Sequence, residues 1–497
     1  MRRWSALVVA FAAVVAAGCA EPPAQVLEPD TGIGDADDLK PDPDAPSIDW
    51  QRNDDGVESG YLQVPIDYSD PEAGTLEIFV ARRPAADPGR RIGSMLVNPG
   101  GPGFGGADYA AFAPQIFDTE LLDRFDIVGW DPRGTGLSEP SIDCIDDYDL
   151  YFASFDTAED PAGESERLAR AFVDGCFERS GEILDHVGTN NAARDIDMIR
   201  RALGEDQISY FGFSYGSELG GVWTTLFPDT VRAAVFDGAA DPTADALESS
   251  LQQIAGFEST LATFLAGCSA RPTCRFHNDG DAEGAFSALM SELDASPIPS
   301  VAGRPDVGRG VATNGVIMAM YNESFWPQLE RALADAQNGD GAGLLGLHDT
   351  YYQYEGDGRW GDELEAFQVI SCADTDERPS VAEMQARTPL YHAAAPRLVP
   401  IDAEPGFFCT FFPPALDPRV DITGTTEVPI VVIGATGDAT TPLESTRAMA
   451  ATLADSRLVI LESNNHGAYF TSRCVRQIVV DYFVEGVVPD DGTVCTT

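Results

Sequence analysis

Hydrophobic residues recur along the chain in short runs of two kinds. At 61–66 and at 75–80 apolar and polar residues alternate, which predicts two half-buried antiparallel strands joined by the turn at 70–74. The other runs are almost continuously apolar, which predicts strands buried on both faces of a sheet. These runs are 92–97, Phe125–Trp130, 207–211, 231–236, 428–434 and 456–461.

Between residues 241 and 427 the regular alternation of strands and helices stops. Helical periodicity at 249–266, 281–293, 314–337 and 360–374 alternates there with joins rich in proline and glycine. We therefore predict an α/β fold with a mostly parallel central sheet, formed by residues 48–240 and 428–497. A mainly helical cap domain is inserted at 241–427. A further helix is predicted at 189–203.

The first 47 residues lie outside this predicted core. Arg2 and Arg3 precede an apolar stretch at 6–17 that is too short to span a bilayer, which predicts a signal peptide at 1–18. Small residues then lead into Cys19, as in a bacterial lipoprotein signal, although the usual leucine three residues earlier is missing. Lipidation of Cys19 is the prediction, and ordinary secretion with cleavage nearby is the alternative. Residues 19–47 have the composition of a disordered tether.

The chain has nine cysteines. Lipidation of Cys19 leaves an even number, which suits four disulfides in an oxidising compartment. Eight cysteines allow about 105 pairings, and proximity along the chain favours Cys144–Cys176, Cys268–Cys274, Cys372–Cys409 and Cys474–Cys495. No zinc site is expected, because the chain contains no C-x-x-C pair.

The formal net charge is −50 at pH 7, and Lys40 is the only lysine. Such an acidic surface argues against nucleic-acid binding and against direct adsorption to anionic lipid. Contact with a membrane is therefore expected only through an N-terminal lipid anchor.

The sequence Gly212-Phe213-Ser214-Tyr215-Gly216 joins a predicted strand to a predicted helix. That order is the nucleophile elbow of α/β-hydrolases, in which a sharp turn holds the serine hydroxyl at the tip of a central strand. Small residues two positions either side are needed because the turn is crowded. A glycine-rich turn at the end of a strand is the alternative, so the rest of the chain has to decide.

The remaining members of a catalytic triad are predicted from their order. Asp438 follows the apolar run at 428–434, and His466 follows the run at 456–461, which gives the order Ser, acid, His of this fold. The other four histidines precede the elbow or lie in the predicted cap; they are His186, His277, His348 and His392. We therefore predict that Ser214, Asp438 and His466 form the triad.

Two backbone N–H groups are predicted to stabilise an oxyanion. One belongs to Tyr215, which follows the serine at a helix N-terminus. The other belongs to Gly101, in the glycine- and proline-rich segment 98–103 that follows an early strand. The charged loop at 131–136 is interpreted as structural.

Four motifs, in the order NPGGPG, GWDPRGTGLS, GFSYGSELGG and FDGAADP, resemble those of the tripeptidyl aminopeptidases of actinobacteria. These are α/β-hydrolases related to proline iminopeptidases. The resemblance runs from about Trp50 to the C-terminus. It implies a secreted serine exopeptidase that releases short peptides from free N-termini and needs neither a metal nor an organic cofactor.

Three alternatives stay open at this point. The same triad serves a carboxylesterase or lipase-type hydrolase, a proline iminopeptidase-like specificity is close to the resemblance, and a non-enzymatic binding protein can use the same scaffold. An exopeptidase has to recognise a cationic α-amino group, so we expect carboxylates in the cap. Asp374 is the candidate and Asp376 and Glu377 are the runners-up, with three ordinary surface acids as the alternative.

Overall fold

The computed structural model describes residues 25–26, 46–149, 161–404 and 406–496. The predicted signal peptide, Cys19 and all of the predicted tether except residues 25–26 and 46–47 lie outside these residues. Among the residues that are described, no helix is long and apolar enough to cross a membrane.

A ten-stranded sheet forms the centre of the protein, in the order β14-β12-β11-β8-β7-β5-β6-β4-β3-β2. The seven strands from β14 to β6 run parallel, whereas β4, β3 and β2 continue the sheet antiparallel. Two separate antiparallel pairs are β1–β13 and β9–β10. In chain order the strands are β1 (Gln25–Val26), β2 (Gln51–Arg52), β3 (Glu58–Pro65), β4 (Thr75–Arg83), β5 (Gly93–Asn98), β6 (Phe125–Trp130), β7 (Ile208–Phe213), β8 (Val231–Asp237), β9 (Tyr354–Gly356), β10 (Arg359–Trp360), β11 (Ile430–Ala435), β12 (Ser456–Glu462), β13 (Val487–Val488) and β14 (Thr493–Thr496).

The continuously apolar runs form the parallel part of the sheet. Every residue of β5, β6, β7 and β11 is buried, because helices cover both faces of a parallel sheet. Each predicted strand occurs within three residues of its expected ends. The predicted fold class, an α/β-hydrolase fold with a mostly parallel central sheet, is confirmed.

Fifteen α-helices are described. They are α1 (Ala107–Ala111), α2 (Ala113–Ile116), α3 (Thr119–Arg124), α4 (Pro161–Ser180), α5 (Thr189–Ala202), α6 (Tyr215–Leu226), α7 (Ala246–Ala270), α8 (Ala282–Ala295), α9 (Arg309–Met320), α10 (Trp326–Ala336), α11 (Ala342–Tyr351), α12 (Glu363–Ala373), α13 (Val381–Ala394), α14 (Leu443–Thr452) and α15 (Arg473–Glu485). Short 3₁₀ turns occur at Pro71–Ala73, Pro88–Arg90, Leu184–His186, Pro228–Thr230, Asn278–Gly280 and Glu323–Phe325.

Residues 241–427, for which we keep the name cap, contain helices α7 to α13 and the hairpin β9–β10. Helices α7 to α11 enclose an apolar cluster of their own, separate from the two clusters on the faces of the main sheet. The single helix expected at 314–337 is wrong, because the chain forms α9 and α10 there. The Asn322 side chain accepts the N–H of Ser324 over 2.9 Å, and Pro327 is the second residue of α10, so both residues favour a new helix start.

Four disulfides occur in the structure, and they pair the same cysteines that proximity favours. Cys144–Cys176 ties the loop after β6 to α4, and Cys268–Cys274 closes the end of α7. Cys372–Cys409 ties α12 to the last part of the cap. Cys474–Cys495 ties α15 to the edge strand β14.

Candidate active site

Ser214 lies between the last residue of β7 and the first residue of α6. Its backbone φ of 55° falls in the left-handed region, which is strained for a residue with a side chain. The flanking glycines are required by close approach. A Cβ at Gly212 would lie 2.2 Å from the carbonyl oxygen of Gly216, and a Cβ at Gly216 would lie 2.7 Å from the carbonyl oxygen of Asn98. The motif therefore folds as a sharp turn that holds the serine at the carboxyl end of a central strand.

Asp438 and His466 lie in the loops that follow β11 and β12. His466 Nδ1 is 2.9 Å from Asp438 Oδ2 and 3.0 Å from Oδ1. The N–H groups of Thr440 and Thr441, each 2.9 Å from Oδ1, hold the carboxylate in place. Because Nδ1 faces a carboxylate, it carries the imidazole proton, and Nε2 is left as an acceptor.

The surroundings of His466 favour proton uptake. Burial lowers the pKa of His466, but the charge of Asp438, the hydrogen bond that Nδ1 donates to Asp438 and the charge of Asp237 together raise it above its ordinary value. A neutral imidazole with a free Nε2 and two acids beside it has the property that a general base needs.

Main-chain contacts connect the serine turn with the histidine loop. The N–H of Ser214 donates to the carbonyl oxygen of Asp237, the last residue of β8, over 2.9 Å. The next residue, Gly238, lies against the imidazole, since a Cβ at this position would be 3.0 Å from His466 Cε1. The loops after β7, β8, β11 and β12 therefore meet at one edge of the sheet, and Ser214, Asp438 and His466 lie in three of these loops.

The glycine-rich segment after β5 lies directly beside the serine. A Cβ at Gly100 would lie 2.8 Å from Ser214 Cβ and 3.1 Å from the nitrogen of Tyr215, so only glycine fits. The N–H of Gly100 donates to Asn98 Oδ1 over 2.9 Å. Gly101 follows Gly100 in this turn, and the role of its N–H at an oxyanion stays a prediction. Sequence reasoning missed the contact that Gly100 makes.

The N–H of Tyr215 belongs to the first residue of α6, where a helix offers no internal acceptor. The Tyr215 ring is held from the cap. Asp374, just after α12, accepts the N–H of Thr189 over 2.6 Å and also the Thr189 hydroxyl. Because that hydroxyl donates to Asp374, it accepts the hydroxyl of Tyr215. Asp374 is thus linked to Tyr215, the residue that follows the serine, through the hydroxyl of Thr189.

The three predicted cap acids have different surroundings. Burial, with a contribution from the charge of Glu218, raises the pKa of Asp374 to about 7. Asp376 is exposed. Glu377 accepts the N–H of Ala246 over 3.1 Å, at the start of α7. Of the three, only Asp374 is connected by hydrogen bonds to the serine turn.

Two residues at this edge were missed by sequence reasoning. Asp237 is fully buried and contacts both the serine turn and the histidine loop. The sequence did contain a signal for Asp237: it is an acid at the end of a buried parallel strand, and the carboxyl ends of such strands lie at the same edge of the sheet. Tyr321 of the cap contacts His466 and carried no comparable signal, because it was expected inside a helix.

The arrangement contains parts that acyl transfer needs: a strained serine, an imidazole oriented by a carboxylate, and the N–H of Tyr215 at a helix N-terminus next to the serine. Among the described residues, no group of three or more His, Cys, Asp or Glu side chains is placed to hold a metal ion.

Comparison with known proteins gives a family and several relatives. The sequence profile of the alpha/beta hydrolase fold matches residues 93–472. The chain is 32% identical over 459 residues to serine protease Hip1 of Mycobacterium tuberculosis, which covers 88% of this chain and 87% of that protein. It is 35% identical over 451 residues to carboxylesterase B of the same species, with 87% and 85% covered. It is 28% identical over 452 residues to tripeptidyl aminopeptidase of Streptomyces coelicolor, with 86% and 81% covered.

Proposed function

The chain belongs to the α/β-hydrolase fold family and is a serine hydrolase, and from this premise we propose that it is an extracytoplasmic serine exopeptidase. It releases short peptides, foremost tripeptides, from free N-termini. The observation that supports the proposal is that the strained Ser214 and the hydrogen-bonded His466–Asp438 pair lie in loops at the same edge of the sheet. Its similarity to serine protease Hip1 and to tripeptidyl aminopeptidase supports peptides as substrates.

In this proposal His466 Nε2 removes the proton of the Ser214 hydroxyl as the oxygen attacks the scissile carbonyl carbon. Asp438 holds the imidazole in the required tautomer and stabilises the imidazolium. The N–H groups of Tyr215 and Gly101 receive the developing oxyanion, each worth about 3–4 kcal/mol in comparable sites. His466 then gives its proton to the leaving amine, and water hydrolyses the acyl-enzyme by the same route in reverse.

Hydrolysis of esters is the second candidate function, because the chain is 35% identical to a protein named carboxylesterase B. The same triad cleaves either bond, so geometry does not separate the two. We expect purified protein to turn over free tripeptide anilides, and Ser214→Ala to abolish the turnover. Rapid hydrolysis of short acyl esters without any cleavage of peptide anilides would overturn the peptidase proposal in favour of the esterase.

An exopeptidase has to distinguish a free N-terminus from an internal position. An α-amino group has a pKa of about 7.7–8.0 and is largely cationic near neutral pH, so a carboxylate in the cap is the natural partner. Asp374 remains our candidate, since its two contacts to Thr189 use only part of the acceptor capacity of a carboxylate. An N-blocked peptide would leave that carboxylate unpaired and would be rejected.

The experiment compares a free tripeptide anilide with its N-acetyl form on the wild type and on Asp374→Asn. We expect the wild type to prefer the free form strongly and the variant to lose most of that preference. Asp376→Asn, at an exposed acid two residues away, is the matched control and should keep it. Equal turnover of the two forms by the wild type would overturn the exopeptidase proposal, whereas an unchanged preference in the variant would exclude only Asp374.

We also propose that the protein acts outside the cytoplasm, attached by lipid at Cys19, with peptides as partners and neither nucleic acid nor a metal required. The four disulfides support an oxidising compartment. Mass spectrometry of the mature N-terminus tests the anchor: an unmodified terminus between residues 16 and 21 would mean simple secretion.

A further inference from the structure

Asp237 is a buried acid at the candidate active site for which the mechanism above has no use. It ends β8, whose neighbours in the sheet are β7, which leads to Ser214, and β11, which leads to Asp438. Its relative exposure is 0%. Burying a carboxylate is costly unless its oxygens are hydrogen-bonded, so its contacts need an explanation.

The backbone and the side chain of Asp237 bind two different parts of the site. Its carbonyl oxygen accepts the N–H of Ser214 over 2.9 Å. Its Oδ1 accepts the N–H of Ala468 over 2.9 Å, and its Oδ2 accepts the N–H of Tyr469 over 2.8 Å. Ala468 and Tyr469 follow His466 by two and three residues. One residue therefore fixes the nucleophile turn and the histidine loop relative to each other.

Aspartate suits this position better than any other residue type. An ionised carboxylate only accepts hydrogen bonds, so it can satisfy two N–H groups at once. An asparagine amide would direct its own N–H₂ at one of them and leave a buried donor unpaired. Glutamate is one methylene longer and would push the histidine loop away in a fully packed site.

We propose that Asp237 is a positioning residue of the triad, which sets the separation between the Ser214 hydroxyl and His466 Nε2. The inference rests on the proposed function, because it needs Ser214 and His466 to react with each other. A displacement of the histidine loop by about 1 Å is enough to lower kcat about 100-fold, since proton transfer requires the two groups in hydrogen-bond reach.

Asp237 also contributes charge, which gives a readout that a merely structural role would not change. The titratable groups that face His466 are Asp438 on the acid loop, Asp237 on β8 and Tyr321 on the cap. Burial raises the pKa of Asp237 to about 6, so it is mostly ionised at neutral pH. Removing this anion lowers the pKa of His466, and the acid limb of the kcat/KM profile shifts to lower pH.

The test is Asp237→Asn, assayed with the best chromogenic substrate of the wild type. We expect kcat to fall about 100-fold, KM to change little, and the acid limb to move to lower pH. The matched control is Asp118→Asn. Asp118 Oδ2 accepts the Tyr469 hydroxyl over 3.0 Å, so this acid contacts the same residue away from the histidine loop backbone. The control should keep both kcat and the acid limb.

A folded Asp237→Asn variant with wild-type kcat and an unmoved acid limb would overturn the inference. If the variant does not fold, amide hydrogen exchange in the wild type decides. The N–H groups of Ala468 and Tyr469 should exchange as slowly as those of the central strands, and rapid exchange would overturn the inference. Wild-type protein without any hydrolase activity would instead defeat the proposed function, which keeps the two failures distinct.

Discussion

At the scale of single residues, the serine turn is held in a conformation that it would not adopt alone. Ser214 has a φ of 55°, which is strained for a residue with a side chain. The surrounding main chain stabilises this conformation, because the Ser214 N–H donates to the carbonyl oxygen of Asp237 and Gly100 packs against the serine Cβ. A hydroxyl held in this way loses little freedom when it reacts, which is where enzymes gain much of their rate.

Removal of any one triad residue is expected to disable this arrangement. We predict that Ser214→Ala, His466→Ala and Asp438→Asn each lower kcat by about 10⁴–10⁶-fold, because proton transfer and attack depend on all three. Double variants should lose no more than the worse single variant. Steady-state kinetics and thermal unfolding of each folded variant check this. Near-normal activity of Asp438→Asn would show that another acid serves His466, and Asp237 would be the next acid to test.

Local patterns were enough to predict the serine turn and the loops that carry Asp438 and His466, which the structure shows in contact, whereas the joint role of the three residues as a triad stays a prediction. The glycines around Ser214, and the acid and the histidine after successive apolar runs, are signals within a few residues of each other. The link from Asp374 to Thr189 is different, because these residues are 185 positions apart in the chain. It depends on how the cap packs on α5, which the order of residues does not specify.

At the scale of elements, the break between α9 and α10 contributes to the candidate site. The N–H of His466 donates to the carbonyl oxygen of Tyr321 over 2.9 Å, and the two rings are 5.8 Å apart at 80°. The N–H of Glu323 donates to Asn465 Oδ1 over 2.9 Å, and Asn464 Nδ2 donates to Glu323 Oε1 over 2.7 Å. The cap therefore contributes hydrogen bonds that hold the histidine loop in place.

The sequence could not reveal this contact, since periodicity alone continues through the break. The apolar positions of α9 and α10 are nearly in phase, so the region was expected to be one helix at 314–337. The signals that end α9, an asparagine at 322 and a proline at 327, are weak by themselves. These signals nevertheless end the helix, because the histidine loop provides hydrogen-bond partners for the main chain at the break.

We predict that Tyr321→Ala lowers kcat about 10–100-fold and destabilises the fold by about 3 kcal/mol, because the histidine loop loses the ring packed against it. Tyr321→Phe keeps the ring and the main-chain carbonyl and should stay close to wild type in both measurements. Kinetics with a tripeptide anilide and thermal unfolding check the pair. Undiminished kcat in the alanine variant would mean that the cap does not position His466.

At the scale of the whole molecule, the apolar runs were enough to predict the fold class, but they did not predict several helices and an edge strand at the periphery. Helices α4, α11, α13 and α15 and the edge strand β14 were not predicted. A helix such as α4 carries charged residues on most of its surface, and β14 is one short strand at the edge of the sheet. Both are fixed by long-range disulfides, Cys144–Cys176 and Cys474–Cys495, rather than by a strong local pattern.

The whole molecule also combines a net charge of −50 with carboxyls that are partly or fully buried. Burial raises the pKa of Asp131, and it raises the pKa of five others to about 6 for Asp237 and Asp362 and to about 7 for Glu363, Glu365 and Asp374. Folding therefore takes up protons at these groups. Their contribution to stability is fully present below the ordinary values of 3.8 and 4.5 and is lost as the pH rises through 6 to 7.

Other groups act outside this window or against it. Several surface acids have a lowered pKa, and their contribution is lost only as the pH falls below 3.8 to 4.5; they are Asp67, Asp87, Asp146, Asp241 and Glu383. Burial lowers the pKa of His348 to about 3, so this residue destabilises the fold as the pH falls below about 6.5. Five carboxyls outweigh one histidine between about pH 4.5 and 6, so these contributions place the most stable condition near about pH 4.5.

We predict that Tm is highest near pH 4.5 and falls by about 3–6 °C by pH 8.5, where the five carboxyls with a raised pKa are charged and repel the rest of the acidic surface. Glu363→Gln removes one of these charges without removing volume, so the variant should be more stable than wild type at pH 8.5 and equal to it at pH 5. Asp376→Asn, at an exposed acid, is the control and should follow the wild-type curve. Calorimetry at low and high salt measures all three proteins, and a wild-type Tm that rises from pH 6 to pH 8.5 would contradict the argument.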